Sequence, residues 1–173
     1  MVDRTLLKPG DIILYSPSSL IGLWIAIKTW SWVSHVETYI GHNQCIAARF
    51  QGVNYWPLRN DKYVSYVLRP NKPFNVDKAK EWFNKNAKGD GYDLLGLFGF
   101  YGIKVPHWKH EFCSMISTML YASGDFYPFN KNWPASKIAP AQFLQTNDLD
   151  EVWPNDNKPR LFKRLLKLGW HTG

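Results

Sequence analysis

Short strand-like segments set off by turn residues, with one helical stretch among them, fill residues 11–70, and apolar positions recur with a helical period after them. Lys8-Pro9-Gly10-Asp11 has the composition of a turn, and the unbroken apolar run Ile12-Ile13-Leu14-Tyr15 behind it predicts a short buried strand. Ser18 or Ser19 is placed to cap a helix in which Leu20, Leu23, Trp24 and Ile27 fall on one face. Val36 to Ile40 reads as a strand, Gly41-His42-Asn43-Gln44 as a turn, and Cys45 to Phe50 as the antiparallel partner. Gly52 marks another turn before Val53 to Trp56, and Tyr63 to Leu68 forms a further strand ending at Arg69-Pro70. Three or four neighbouring strands joined by tight turns imply an antiparallel sheet.

The second half changes character. Val76 to Ala87 brings Ala79, Trp82 and Phe83 to helical spacing and stops at Gly89. Asp93 to Phe100 is a weaker helix, because Gly96 and Gly99 lower its propensity. Phe112 to Ala122 is strongly apolar, helix-like and closed by Gly124; Pro140 to Leu144 follows as a short helical turn. No stretch has the composition of a linker, so residues 1–173 are expected to form one α+β domain. Its end, from about 158 to 173, is basic and amphipathic. Arg160, Lys163, Arg164 and Lys167 recur on one side, with Leu161, Leu165 and Leu168 on another. That pattern fits a surface for an anionic membrane or nucleic acid, and at least as well a terminal helix docking its leucines on the body.

The chain is long enough to bury a core without staples, and its net charge of +7 favours anionic partners without choosing among them. No nucleic-acid-binding motif is present, so nucleic acid is not the expected partner. Cys45 and Cys113 are too few for a disulfide framework. Asp3, Arg4 and Lys8 stand where a secretory h-region would be, and the apolar stretch Leu20 to Val33 is too short and is interrupted by Lys28. With neither a signal peptide nor a transmembrane segment, a cytoplasmic location is expected. The oligomeric state is left open.

The chemistry gathers at three residues. Cys113 falls in the first turn of its predicted helix, where free backbone N–H groups and the dipole favour a thiolate and can also face an oxyanion. His35 is the candidate general base. Glu37, two residues on in a strand, projects from the same face about 7 Å along the backbone, within reach of the imidazole. Another reading stays open: Cys113, Ile116, Ser117 and Leu120 share a helical face, so Cys113 also fits a core thiol. Histidines 42, 107, 110 and 171 show no metal-ligand spacing, so no metal or cofactor is expected.

Four segments in this order carry a resemblance: Lys8-Pro9-Gly10-Asp11-Ile12-Ile13, Ser34-His35-Val36-Glu37-x-Tyr39-Ile40-Gly41, Gly91-Tyr92-Asp93-x-Leu95-Gly96, and Phe112-Cys113-Ser114. Together with Pro128-Phe129-Asn130 and Ile138-Ala139-Pro140-Ala141, they resemble the permuted NlpC-type, papain-like cysteine hydrolases (the YiiX-like group) over residues 8 to 145 or so. The resemblance implies a small antiparallel sheet or half-barrel packed on helices, with Cys113 as nucleophile at a helix N-terminus and His35 as base on a facing strand. Tyr92 would border the site, with Trp32 and Ser114 as further substrate-binding residues. In relatives that orient the histidine from the next strand, the matching stretch is Cys45-Ile46-Ala47-Ala48; it holds no carboxylate, which assigns that role to Glu37, with Arg49 and Asn54 as neighbours. The expected activity is cleavage of an amide, a cell-wall peptide or related bond, through a Cys113 thioester. A lipid acyl hydrolase or acyltransferase on the same residues is the alternative, favoured by the apolar Leu20 to Trp32 segment; a catalytically silent binding module is another. The partner is then a peptide, lipid or other small substrate.

Overall fold

The structure, a computed structural model, describes residues 4–18, 23, 27, 31–59, 61–92, 110–111 and 113–154, with the backbone alone at 61, 91, 92, 110, 111 and 154. Its centre is a six-stranded antiparallel sheet. The strands are β1 (Ile12–Tyr15), β2 (His35–Gly41), β3 (Gln44–Arg49), β4 (Gly52–Pro57), β5 (Val64–Pro70) and, after the helices, β8 (Leu149–Pro154). They lie in the order β4-β3-β2-β1-β5-β8. The short strands β6 (Gly91–Tyr92) and β7 (His110–Glu111) pair with each other in parallel. Two α-helices are described over more than isolated residues, α1 (Val76–Asn86) and α2 (Cys113–Ser123), and the expected helical turn at Pro140–Leu144 is a short 3-10 helix.

Turn chemistry fixes the register. His42 and Asn43 both take left-handed backbone angles (φ 52° and 56°), and Gly41 pairs with Gln44, so β2 and β3 form a two-residue hairpin. Gly10 is needed twice over. Its φ is +98°, and a Cβ there would stand 2.6 Å from the Phe74 ring. Asn75 caps α1, its side chain accepting from the Lys78 N–H at 3.0 Å.

The period-two pattern sorts side chains onto two faces. Ile12, Leu14, Val36, Tyr66 and Leu68 pack on the helix side with Cys113, Tyr121 and Phe143; Ile46, Ala48 and Val53 meet Phe83 of α1 and Ile116 and Leu120 of α2 nearby. Ile13, Tyr15, Tyr39, Cys45, Val64 and Val67 form the core of the opposite face, covered by Leu7, Leu58 and Tyr63. Thr38 of β2 donates to Ser117 of α2 at 3.1 Å, tying the sheet to the helix inside the core.

The sequence under-counted the sheet. The five strands it marks correspond to β1 to β5, but it misses β8, which pairs antiparallel with β5 from Tyr66↔Pro154 to Pro70↔Leu149. Leu149-Asp150-Glu151-Val152 carries too many charges to read as a strand; it forms one because β5 offers an open edge. The predicted helices over 20–27 and 93–100 and the basic tail fall mostly or wholly outside the described residues. Leu23 and Ile27 are helical, one turn apart, and exposed (41% and 63%). Among the described residues no helix is long and apolar enough to cross a membrane.

Candidate active site

Cys113 is the first residue of α2, and His35 the first of β2. The two side chains hydrogen-bond each other. His35 Nε2 lies 3.0 Å from Glu37 Oε1, which leaves Nδ1 as the nitrogen for the thiol. The pairing depends on how β2 begins. Its ladder with β3 runs only from Thr38 to Gly41, so the Val36 N–H stands outside it and hydrogen-bonds the Cys113 sulfur instead. The Ser114 N–H, in the first turn of α2, makes a second such bond.

These contacts set the charge of the pair. Burial by itself raises the Cys113 pKa, but the imidazole beside it and the two backbone N–H groups outweigh burial, and the thiol is lowered from its ordinary value. Burial likewise pulls His35 down, while Cys113 and Glu37 pull harder the other way, so the imidazole is raised. Both shifts favour a thiolate facing an imidazolium. Cys113 is 4% exposed and belongs to the apolar core cluster on the helix side. Cys113 is thus at once a side chain of the core and the partner of an imidazole.

Glu37 is fully buried and is the hub of the site. Arg49 holds it with two bonds, Nε to Oε1 at 2.9 Å and Nη2 to Oε2 at 3.0 Å, and also donates to the Pro57 carbonyl. Arg59 Nε approaches Oε1 to 2.8 Å, and the Tyr15 hydroxyl donates to Oε2 at 3.3 Å. Burial alone would raise this carboxyl; His35 and Arg49 outweigh it and hold its pKa at about 2. A carboxylate ionised at neutral pH on Nε2 fixes the ring's tautomer and favours the imidazolium. The Tyr15 ring, 5.9 Å from the imidazole, packs beside it.

The structure thus brings together Cys113, His35 and Glu37, which the sequence singled out. Arg49 was read as a neighbour and is a direct partner of Glu37. Asn54 makes no described contact with the carboxylate, its side chain accepting from the Tyr55 N–H. Arg59 and Tyr15 were missed. Tyr15 looked like one more apolar strand residue, and only the β1–β2 register, Tyr15↔His35, reveals its place. Nothing local marks Arg59, which follows the last residues of β4.

The three expected substrate-binding residues stand differently. Ser114 is fully buried, so what it offers the sulfur is its N–H and not its hydroxyl; that Oγ is the one buried side-chain polar atom among the described residues without a hydrogen-bond partner. Tyr92 is placed by its backbone, which pairs with Glu111 two residues before Cys113. Trp32 is 47% exposed, three residues before His35, with no described contact to the three. Among the described residues no group of three or more His, Cys, Asp or Glu side chains is placed to hold a metal ion.

Compared with known proteins, the chain matches no protein-family model and none of the curated proteins.

Proposed function

We propose that this protein is a cysteine hydrolase that cleaves an amide bond, a cell-wall peptide or related amide, with the permuted NlpC-type, papain-like arrangement that its motifs resemble. The observation that carries the reading is the relay Cys113–His35–Glu37: a thiol at a helix start, an imidazole against it, and an ionised carboxylate on the far ring nitrogen. The antiparallel sheet, with histidine before cysteine in the chain, is compatible with the permuted order.

The steps balance on these groups. His35 takes the Cys113 proton, and the thiolate attacks the carbonyl carbon. Backbone N–H groups at the start of α2 face the oxyanion. Collapse breaks the C–N bond, and His35 returns its proton to the departing amine. A water then loses a proton to His35 and attacks the thioester, releasing the carboxylic acid and restoring the thiol. Glu37 never takes the proton; its pKa of about 2 keeps it an anion throughout.

A second reading, a lipid acyl hydrolase or acyltransferase, is favoured by one observation: Leu23, Ile27 and Trp32 are exposed apolar side chains just before His35. Incubating wild type and Cys113→Ala with peptidoglycan fragments and with lipid extracts separates the readings. Release of new amines and carboxylates by wild type alone supports the amidase. Release of fatty acid by wild type alone displaces it in favour of the lipid enzyme, and turnover of neither by either protein leaves a binding module.

A further inference from the structure

Among the described side chains, the charges around Glu37 do not cancel. Cys113 and His35, as thiolate and imidazolium, neutralise one another. Glu37 carries one negative charge, and Arg49 and Arg59 both lie within ion-pair distance of it. Arg49 alone matches the carboxylate, binding both oxygens. With His35 on Oε1 and Tyr15 on Oε2, Glu37 has donors on each oxygen without Arg59. Among the described side chains, no other carboxylate is paired with Arg59, so one cation is in excess. It is also the more solvent-reachable of the two, 29% exposed against 12% for Arg49. Its mounting is firm: the guanidinium carbon lies 5.5 Å from the Tyr15 ring centre. Arg59 and His35 share Oε1, so the surplus charge stands one oxygen away from the general base.

We infer that Arg59 is a specificity-determining residue that draws an anionic group of the substrate, a carboxylate or a phosphate, to the side of His35 away from Cys113. The guanidinium fork suits either anion, and its field is strengthened where the protein excludes water. This names the substrate class of the site and rests on the cysteine-hydrolase reading. It is tested without a substrate, by alkylating Cys113 with anionic iodoacetate and neutral iodoacetamide at low salt and following the Cys113 peptide by mass spectrometry. The expected iodoacetate-to-iodoacetamide rate ratio is roughly tenfold above that of a small free thiol, and falls as salt is added. His35 contributes to that ratio, so the decisive comparison is Arg59→Gln, in which the ratio falls several-fold, roughly the effect of removing one nearby charge. Arg59→Lys retains it. A residue that merely supports Glu37 would change both rates alike; an unchanged ratio in Arg59→Gln therefore overturns the inference. At constant ionic strength, a fall in the iodoacetate-to-iodoacetamide ratio on adding acetate assigns a carboxylate, and on adding inorganic phosphate a phosphate; a ratio that neither anion lowers also overturns it. Absence of labelling by both reagents in wild type would instead reject the cysteine-hydrolase reading itself.

Discussion

Cys45 and Cys113 are both buried thiols, 0% and 4% exposed, in one small protein, yet their surroundings drive them in opposite directions. Cys45 lies on β3 among Ile13, Tyr15 and Tyr39, where burial first and the Glu37 charge second push its thiol well above the ordinary range. Cys113 suffers the same burial, but an imidazole and two backbone N–H groups reverse the result. Loss of water does not decide whether a cysteine is inert; the sign of the nearest charge does. Glu37 acts on both, directly raising one thiol and, through His35, helping to lower the other.

Removing that shared charge should disturb the contrast most. Glu37→Gln keeps the shape but leaves Arg49 and Arg59 without a counter-ion, at a cost of about 3–5 kcal/mol in urea unfolding at neutral pH. It should also let the Cys45 thiol fall and the His35 imidazole fall with it. A loss below about 1 kcal/mol would mean the carboxylate is not the hub described here.

Acid reaches the same carboxylate without mutation. The folded pKa of about 2 lies below the ordinary glutamate value, so between the two the unfolded chain binds more protons and stability rises with pH. Glu37 should thus contribute on the order of 3 kcal/mol that is whole above about pH 5 and lost as pH falls toward 2. The difference in unfolding free energy between wild type and Glu37→Gln, followed across that window, should shrink toward the acid end; a constant difference would contradict it.

Alkylation measures the contrast itself. At neutral pH iodoacetamide should modify Cys113 about a hundredfold faster than Cys45, with a midpoint on the acid side of a free thiol. Equal, slow labelling would return both to the core. The smallest effect belongs to the tie between sheet and helix: Thr38→Val removes the donor to Ser117 and should cost about 1 kcal/mol while leaving the order of labelling unchanged.

Much of the site could be read before any coordinates. His35 and Glu37 are two apart in an alternating segment, and a strand has to place them on one face. Cys113 opens an apolar helical run ending at a glycine, which put it among free N–H groups. Arg49 was visible as a charge ending an apolar strand, but its target was not: β3 stops pairing with β2 before Glu37, and the gap is bridged by side chains. Arg59 and Tyr15 reach the same carboxylate from two other segments. Convergence of that kind leaves no trace in local spacing.

The sequence by itself determined which stretches form strands and helices, where the chain turns, and which three residues offer a thiol, an imidazole and a carboxylate, because period, turn preference and side-chain type are local properties. Tertiary structure decided that β8 completes the sheet, that Ser114 presents its N–H and not its hydroxyl to the sulfur, and that two guanidiniums and a phenol meet on Glu37. Those outcomes depend on strand order and register, and the charge state of a buried group is the sum of neighbours that only the fold assembles.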